Sequence, residues 1–335
     1  MTRIVVDAMG SDNFPAPDVE GAVLAAREYG VRILLVGDEA RIRPELEKQN
    51  TKGLSLKIVH APEMLTMEDK GMGLVLKARR PNSKNSMAVG IDLVKNGEAD
   101  AFVTAGNTGA ATVTAYFRLG TIRGVDRPAL APVFPTAKGS CVVLDVGANP
   151  DCKPKNLLQF GIMGAIYAEK VRGVNKPKVG LLSNGEEAGK GSELVKATYP
   201  LLENSGLNFY GNIESKELIG GEVDVVVTDG FTGNVMLKTS EAVARLLVDK
   251  IKEAIQKGGP LAMLGGLLIK PAMSSIKKLM DPSEEGAAPL LGVNGLVFIG
   301  HGRSDAIAIK NAVRVAKQAV ESGVLNSIRS AIEQW

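Results

Sequence analysis

Short apolar runs rich in β-branched residues alternate with helix-patterned segments along almost the whole chain, and this alternation narrows the fold more than any other feature. The runs fall at 4–7, 32–36, 56–60, 101–104, 141–146, 178–182, 224–228 and 296–299. Helical patterns lie between them, among others at 17–29, 86–96, 108–119, 154–171 and 234–256. The runs are apolar at successive rather than alternate positions, the pattern of strands covered on both faces. Pro17 and Pro154 suit a first helical turn, and Gly30 and Gly173 suit a C-terminal stop. These features predict an α/β protein with a layered, largely parallel sheet flanked by helices.

A chain of 335 residues can bury a large core, and without repeats, low-complexity tracts or an obvious linker we expect one domain spanning 1–335. Glycine is abundant (38 residues) and aromatics are only 4%, so small side chains must do much of the packing. Forty basic against thirty-seven acidic residues leave +3, too little charge to imply nucleic acid. Cys141 and Cys152 are too few for a disulfide framework, which suggests a reducing cytosolic compartment. Asp7 interrupts the first apolar run before it reaches signal-peptide length, and no stretch approaches the roughly 20 apolar residues needed to span a bilayer.

In open α/β sheets, ligands bind beyond the carboxyl ends of the strands. Five of those ends here are alike. They run into Ala8-Met9-Gly10-Ser11-Asp12, Ala105-Gly106-Asn107-Thr108-Gly109, Gly147-Ala148-Asn149, Asp229-Gly230-Phe231-Thr232-Gly233-Asn234 and Gly300-His301-Gly302-Arg303-Ser304-Asp305. Glycine lets backbone N–H groups approach a ligand, Asn, Thr and Ser donate hydrogen bonds, and a following helix start favours an anion. Turn-making and helix capping use the same residues. Five such junctions together point to phosphate binding, with Asp7, Gly10, Asn107, Thr108, Gly109, Gly147, Asn149, Asp229 and Gly233 as candidate substrate-binding residues. The aspartates near strand ends, Asp7, Asp145, Asp229 and Asp305, suit Mg²⁺ chemically but are expected to cap helices or anchor loops.

Several chemistries lack their parts. No G-x-G-x-x-G follows a strand, so no nicotinamide or flavin site is expected. Gly185-Glu186-Glu187-Ala188-Gly189-Lys190-Gly191 looks like a P-loop but is one residue short, and no Ser or Thr follows the lysine. There is no G-x-S-x-G elbow, only His60 and His301 are present to activate a nucleophile, and Cys141 sits mid-strand, where packing is expected. Metal-ligand spacing of Cys and His is also absent, so neither metal nor cofactor is expected.

At these same junctions the chain closely resembles the acyl-ACP:phosphate acyltransferases of bacterial phospholipid synthesis. The matching segments are Val6-Asp7-Ala8-Met9-Gly10, Ala105-Gly106-Asn107-Thr108-Gly109, Leu144-Asp145-Val146-Gly147-Ala148-Asn149 and Asp151-Cys152-Lys153-Pro154. Then come Asn184-Gly185-Glu186-Glu187 with Lys190-Gly191, Gly211-Asn212-Ile213-Glu214, Asp229-Gly230-Phe231-Thr232-Gly233-Asn234, and Pro289-Leu290-Leu291-Gly292 leading to His301-Gly302. They span nearly the whole chain in order. Ser11, Asn85 and Ser192 depart from the family pattern as small polar exchanges.

The resemblance implies transfer of a fatty acyl group from acyl carrier protein to inorganic phosphate, supplying a membrane-bound glycerol-3-phosphate acyltransferase. It also implies a homodimer with a fold like that of phosphotransacetylases and isopropylmalate dehydrogenases. A thioester is already activated, so such an enzyme needs chiefly to hold two reactants and stabilise an oxyanion. Lys190 is the expected cation and Asn234 the donor beside it, positions the resemblance also indicates. His301 is a candidate proton donor to the leaving thiolate or a structural histidine. The basic cluster Arg79, Arg80 and Lys84 reads either as a solvated face or as a dock for an acidic carrier protein.

Segment 257–280 departs from the general pattern, with four lysines, no acidic residue and many large aliphatics. Leu261, Leu264, Leu268, Met273, Ile276 and Met280 recur at roughly helical intervals, and Gly265-Gly266 and Pro271 are expected to interrupt the run. With Lys257, Lys270, Lys277 and Lys278 alongside, the stripe suits an inserted amphipathic hairpin on an anionic membrane surface. A dimer interface would need the same face. The expected location is therefore cytoplasmic, peripherally attached to the inner face of the cell membrane. Two other functions remain open at this stage: a phosphotransacetylase acting on short-chain acyl-CoA, and a non-catalytic membrane scaffold.

Overall fold

The computed structural model describes residues 1–66, 69, 71–279 and 281–334, with the backbone alone for 274–279. Its strands are β1 (Arg3–Asp7), β2 (Arg32–Gly37), β3 (Leu56–His60), β4 (Ala101–Thr104), β5 (Ala129–Leu130), β6 (Val133–Thr136), β7 (Gly139–Leu144), β8 (Val179–Leu182), β9 (Phe209–Ile213), β10 (Val225–Val227), β11 (Ala288–Leu291) and β12 (Val297–Ile299). Its α-helices are α1 (Ala16–Tyr29), α2 (Glu39–Glu47), α3 (Gly71–Arg79), α4 (Ser86–Lys95), α5 (Thr108–Leu119), α6 (Pro154–Lys170), α7 (Glu193–Glu203), α8 (Ser215–Gly220), α9 (Gly230–Lys257), α10 (Gly259–Leu279), α11 (Ala306–Ser322) and α12 (Val324–Glu333).

The strands form two sheets rather than one. The first has the order β3-β2-β1-β4-β12-β11-β5 and the second β6-β7-β10-β8-β9. Within the first, β1 to β4 and β12 run parallel, while β11 pairs antiparallel with β12 and β5 antiparallel with β11. Within the second, only β6 is antiparallel. The chain crosses from the edge of one sheet to the edge of the other through Ala131 and Pro132, between β5 and β6. The Val146 N–H bonds Leu130 O at 3.2 Å, tying the edge of the first sheet to the loop after β7 of the second.

One apolar core fills the space between the sheets. It joins Ile4, Val6 and Ile33 of the first to Leu144, Leu181 and Val225 of the second through α1, α6, α11 and α12. The outer face of the first sheet packs on α3, α4 and α5 around Phe102 and Met87. The outer face of the second packs on α8 and on the base of α9 around Val226 and Leu218. The inner parallel strands are therefore covered on both sides, which is why their sequences read as apolar runs, whereas the edge strands β3 and β9 leave Lys57, His60 and Tyr210 exposed.

A long helical hairpin leaves this body. Its first arm is α9, so it begins well before residue 257, and segment 257–280 contributes the turn and α10. Gly258 caps α9 through an N–H to Ala254 O, and Gly259, at φ +75°, reverses the chain. Contrary to the sequence expectation, α10 runs through Gly265, Gly266 and Pro271 without interruption. A Cβ at Gly266 would lie 2.6 Å from Ile255 Cγ2, so glycine there admits the side chain of the other arm. Packing between the arms outweighs the low helix propensity of the glycines. Leu261, Met263, Leu264, Leu267, Leu268, Ile269 and Lys270 are all exposed. Met280 lies outside the described residues, as do the side chains of Ile276, Lys277 and Lys278. Among the described residues, no helix is long and apolar enough to cross a membrane.

Candidate active site

The carboxyl ends of the parallel strands make two ledges, one on each sheet. On the second sheet, the loop after β8 carries Lys190 and the helix start after β10 carries Asn234. Both border a cavity of about 560 Å³ lined by Leu182, Ser183, Asn184, Gly191, Ser192, Asp229 and Thr232 near the strand ends. Its remaining lining comes from Thr228 after β10 and from α6, α7, α8 and the next two turns of α9.

The Lys190 loop is held from several sides. Ser183 N–H donates to Ile213 O at 2.8 Å, Asn212 Nδ2 to Glu187 O at 2.8 Å, and Lys190 N–H to Glu187 O at 2.9 Å. Lys216 Nζ clamps Glu186 at 2.8 Å, which holds that carboxyl below its usual range and raises the lysine. Gly191 sits at φ +100°, and a Cβ there would be 2.5 Å from Val195 Cγ1, so this turn requires glycine. The Lys190 side chain is exposed, and among the described residues it has no carboxylate within ion-pair distance. Its charge is therefore available to an incoming anion.

Asn234 lies on the first turn of α9. The helix starts against the end of β7: a Cβ at Gly233 would fall 2.0 Å from Asp145 O, and one at Gly230 2.6 Å from Asn149 O. Gly233 is thus a close-packing residue rather than a ligand cradle. This approach lays the Asn234 amide over Gly147, where an added Cβ would be 3.7 Å from Nδ2. Asp229 spends its carboxylate as the N-cap, accepting from Thr232 N at 2.8 Å and Thr232 Oγ1 at 2.7 Å. Beneath them, buried Asp145 accepts from the N–H groups of Leu130 (2.9 Å), Ala148 (3.2 Å) and Asn149 (2.6 Å) and from Asn149 Nδ2 (2.9 Å). Asn149 Nδ2 also reaches Pro128 O at 2.6 Å. Desolvation raises the Asp145 carboxyl despite these donors. Asn149 and Asp145 therefore build the ledge from below.

The first sheet's ledge gathers the remaining candidates. Asp7 is buried, accepts from Met9 N at 3.1 Å and Thr104 Oγ1 at 2.8 Å, and is pushed up by burial. Gly10 presses on the loop after β4, where a Cβ would stand 2.9 Å from the Ala105 and Gly106 nitrogens. Asn107 caps α5 by accepting from Ala110 N at 3.0 Å. Thr108 and Gly109 are exposed, and as the first two helical residues their N–H groups have no intrahelical acceptor. His301 is half-buried beside a separate cavity of about 150 Å³ with Ser283, Arg303 and Ser304. Burial lowers its pKa, with Lys238 and Arg303 in the same direction and Glu241 opposing, so the ring is neutral near pH 7.

The structure thus brings the loop that carries Lys190 to the cavity lined by Asp229, sets Asn234 over Gly147 beside it, and puts His301, Asp7, Gly10 and the Asn107 loop on the neighbouring sheet. The residues departing from the family pattern have local work: Ser11 Oγ donates to Asp18 at 2.6 Å, Asn85 caps α4, and Ser192 caps α7. The apolar half of the large cavity escaped sequence reasoning, because its residues come from four helices whose adjacency is a matter of tertiary packing. Burial pushes the Cys141 thiol up to about 12 and the Cys152 thiol to about 11, so neither presents a thiolate near neutral pH.

Arg79, Arg80 and Lys84 lie on the outer side of the first sheet. All three are exposed, and Arg79 stacks 4.9 Å over the Phe117 ring. Among the described residues none has a carboxylate within ion-pair distance, whereas Lys77 and Arg118 are paired with Asp69 and Asp92.

The family described as fatty acid synthesis protein matches residues 2–327. The phosphate acyltransferase of Pelotomaculum thermopropionicum is 51% identical, over 99% of this chain and 95% of that protein. The phosphate acyltransferase of Elusimicrobium minutum is 48% identical, over 99% and 96%. Among solved structures, a phosphotransacetylase from Streptococcus pyogenes shares the fold at a TM-score of 0.62, with 16% identity over 96% of this chain and 94% of that one. The EutD phosphotransacetylase from Staphylococcus aureus does so at 0.60, with the same identity and coverage.

Proposed function

We propose, for a chain that belongs to the fatty acid synthesis protein family and is an acyltransferase of the phosphate acyltransferase kind, that it moves a long fatty acyl group from acyl carrier protein to inorganic phosphate. The observation carrying this reading is a large, partly apolar cavity at the strand ends, lined by Gly191 and Ser192 of the loop that carries Lys190, a lysine with no carboxylate within ion-pair distance among the described residues.

A phosphate oxygen attacks the thioester carbonyl carbon, and the carbonyl oxygen takes up negative charge. Lys190 and the Asn234 amide stabilise that oxyanion or hold the phosphate, the electrostatic work such a reaction most needs. The C–S bond then breaks, the carrier leaves as a thiol with the proton that the attacking hydrogen phosphate gives up, and the acyl group remains on phosphate. The free amides of Thr108 and Gly109 offer a second anion cradle. His301, neutral near pH 7, suits structural support or acceptance of a proton better than donation of one.

The acidic carrier docks on Arg79, Arg80 and Lys84, which among the described residues have no carboxylate within ion-pair distance. The exposed aliphatics of α9 and α10, with Lys270, rest on an anionic membrane surface or against a second copy of the chain. Either arrangement brings the acyl phosphate close to a membrane-bound glycerol-3-phosphate acyltransferase.

The test is orthophosphate-dependent thiol release from palmitoyl carrier protein and from acetyl-CoA. A strong preference for the palmitoyl donor is expected. An equal or better rate with acetyl-CoA would replace this reading with a phosphotransacetylase.

A further inference from the structure

The large cavity is divided chemically. Ser183, Asn184, Ser192 and Asp229 stand at the strand ends, beside the Lys190 loop. The opposite wall is aliphatic: Leu182, Val195 of α7, Leu218 and Ile219 of α8, and Val235 and Met236 of α9. Leu218 is fully buried, whereas Ile219 and Val235 are about half exposed at 53% and 50%. Two large aliphatics facing a wet cavity from separate helices are costly unless something apolar covers them. The cavity positions on α9, namely 232, 235, 236, 239 and 240, share one helical face. That face continues through Val243, Leu246 and Leu247, all exposed.

We infer that this aliphatic wall binds the hydrocarbon chain of the acyl donor, and that Ile219 and Val235 give the site its preference for long over short chains. The inference rests on the phosphate acyltransferase reading and deepens it. The thioester carbonyl lies at the polar end beside Lys190, and the chain runs between α8 and α9. A chain too long for about 560 Å³ extends along the open α9 face rather than meeting a closed end. An acetyl donor would leave the whole wall unused.

Ile219→Trp and Val235→Trp place bulk on the aliphatic wall from two different helices, at positions exposed enough to leave the fold intact. Butyryl and palmitoyl esters of the same carrier protein isolate the chain from carrier docking. Each methylene excluded should cost about fourfold in kcat/KM, since a buried CH₂ is worth about 0.8 kcal/mol. In both variants the palmitoyl-to-butyryl ratio should fall at least about tenfold, with the butyryl rate within about twofold of wild type. An unchanged ratio in both active variants overturns the inference and leaves the reaction standing. Equal loss on both donors overturns it as well, because the residues would then serve the reacting centre or the fold. Absence of phosphate-dependent release from either donor in the wild-type protein would instead remove the underlying reading.

Discussion

The Lys190 side chain lies directly across Gly185: a Cβ added to that glycine would be 2.9 Å from Lys190 Cγ and 3.3 Å from its Cβ. The first atoms of the lysine stem, not its flexible tip, occupy the space that any other residue would need. Glycine at 185 therefore sets the direction in which the ammonium leaves the loop.

Gly185→Ala should for that reason damage catalysis more than stability. Displacing the charge by about 1 Å can cost on the order of 100-fold in rate, and we expect a loss of about 10- to 100-fold in kcat. The thermal midpoint should move by only a few degrees. Steady-state rates and a melting curve on the same preparation check this; a full rate with a large loss of stability would assign Gly185 to folding alone.

A second expectation concerns pH. Asp18 is buried with one carboxylate oxygen unpartnered, and desolvation raises its pKa to about 7 even though Ser11 donates to it. The folded state holds this proton more tightly than the unfolded chain, so stability falls as pH rises from about 4 to about 7 and then levels off. Asp7, close by, shifts in the same direction. Asp18→Asn removes the titration and should raise the thermal midpoint at about pH 8 by about 5 °C, with little change at about pH 4. Parallel shifts at both pH values would show that Asp18 is ionised throughout.

The hairpin carries a third. Leu264 is 56% exposed on α10 among other bare aliphatics. Leu264→Glu puts a charge at the apolar boundary and should reduce co-flotation with anionic phospholipid vesicles at least about tenfold while leaving thiol release in solution unchanged. Undiminished flotation would dismiss the membrane role and leave the aliphatic face to a second copy of the chain.

Much of this architecture was legible in the sequence because the inner parallel strands are buried on both faces and announce themselves as apolar runs. The antiparallel strands were not, and neither was the parallel edge strand β9, whose exposed Tyr210 and polar Asn212 break the run. β5 is two residues long, β6 contains Pro135 and β11 contains Pro289, so none shows a strand-like run. The division into two sheets follows from long-range strand order, to which local patterning is blind. At the site, strand-end chemistry located the ledges but could not sort their members. Gly233 proved to be pressed against Asp145 O, Asp229 to be spent on capping α9, and Asn149 to be turned inward on Asp145. The extent of the hairpin was underestimated because α9 shows no break between its buried base and its free arm.

The most direct measurement is release of carrier thiol from palmitoyl carrier protein, with and without orthophosphate, by the wild-type protein and by Lys190→Ala. Release is expected only with phosphate, with a fall of about 100- to 1,000-fold in kcat for the variant at an unchanged thermal midpoint. Phosphate-independent release, or a variant turning over at nearly the wild-type rate, would contradict this reading.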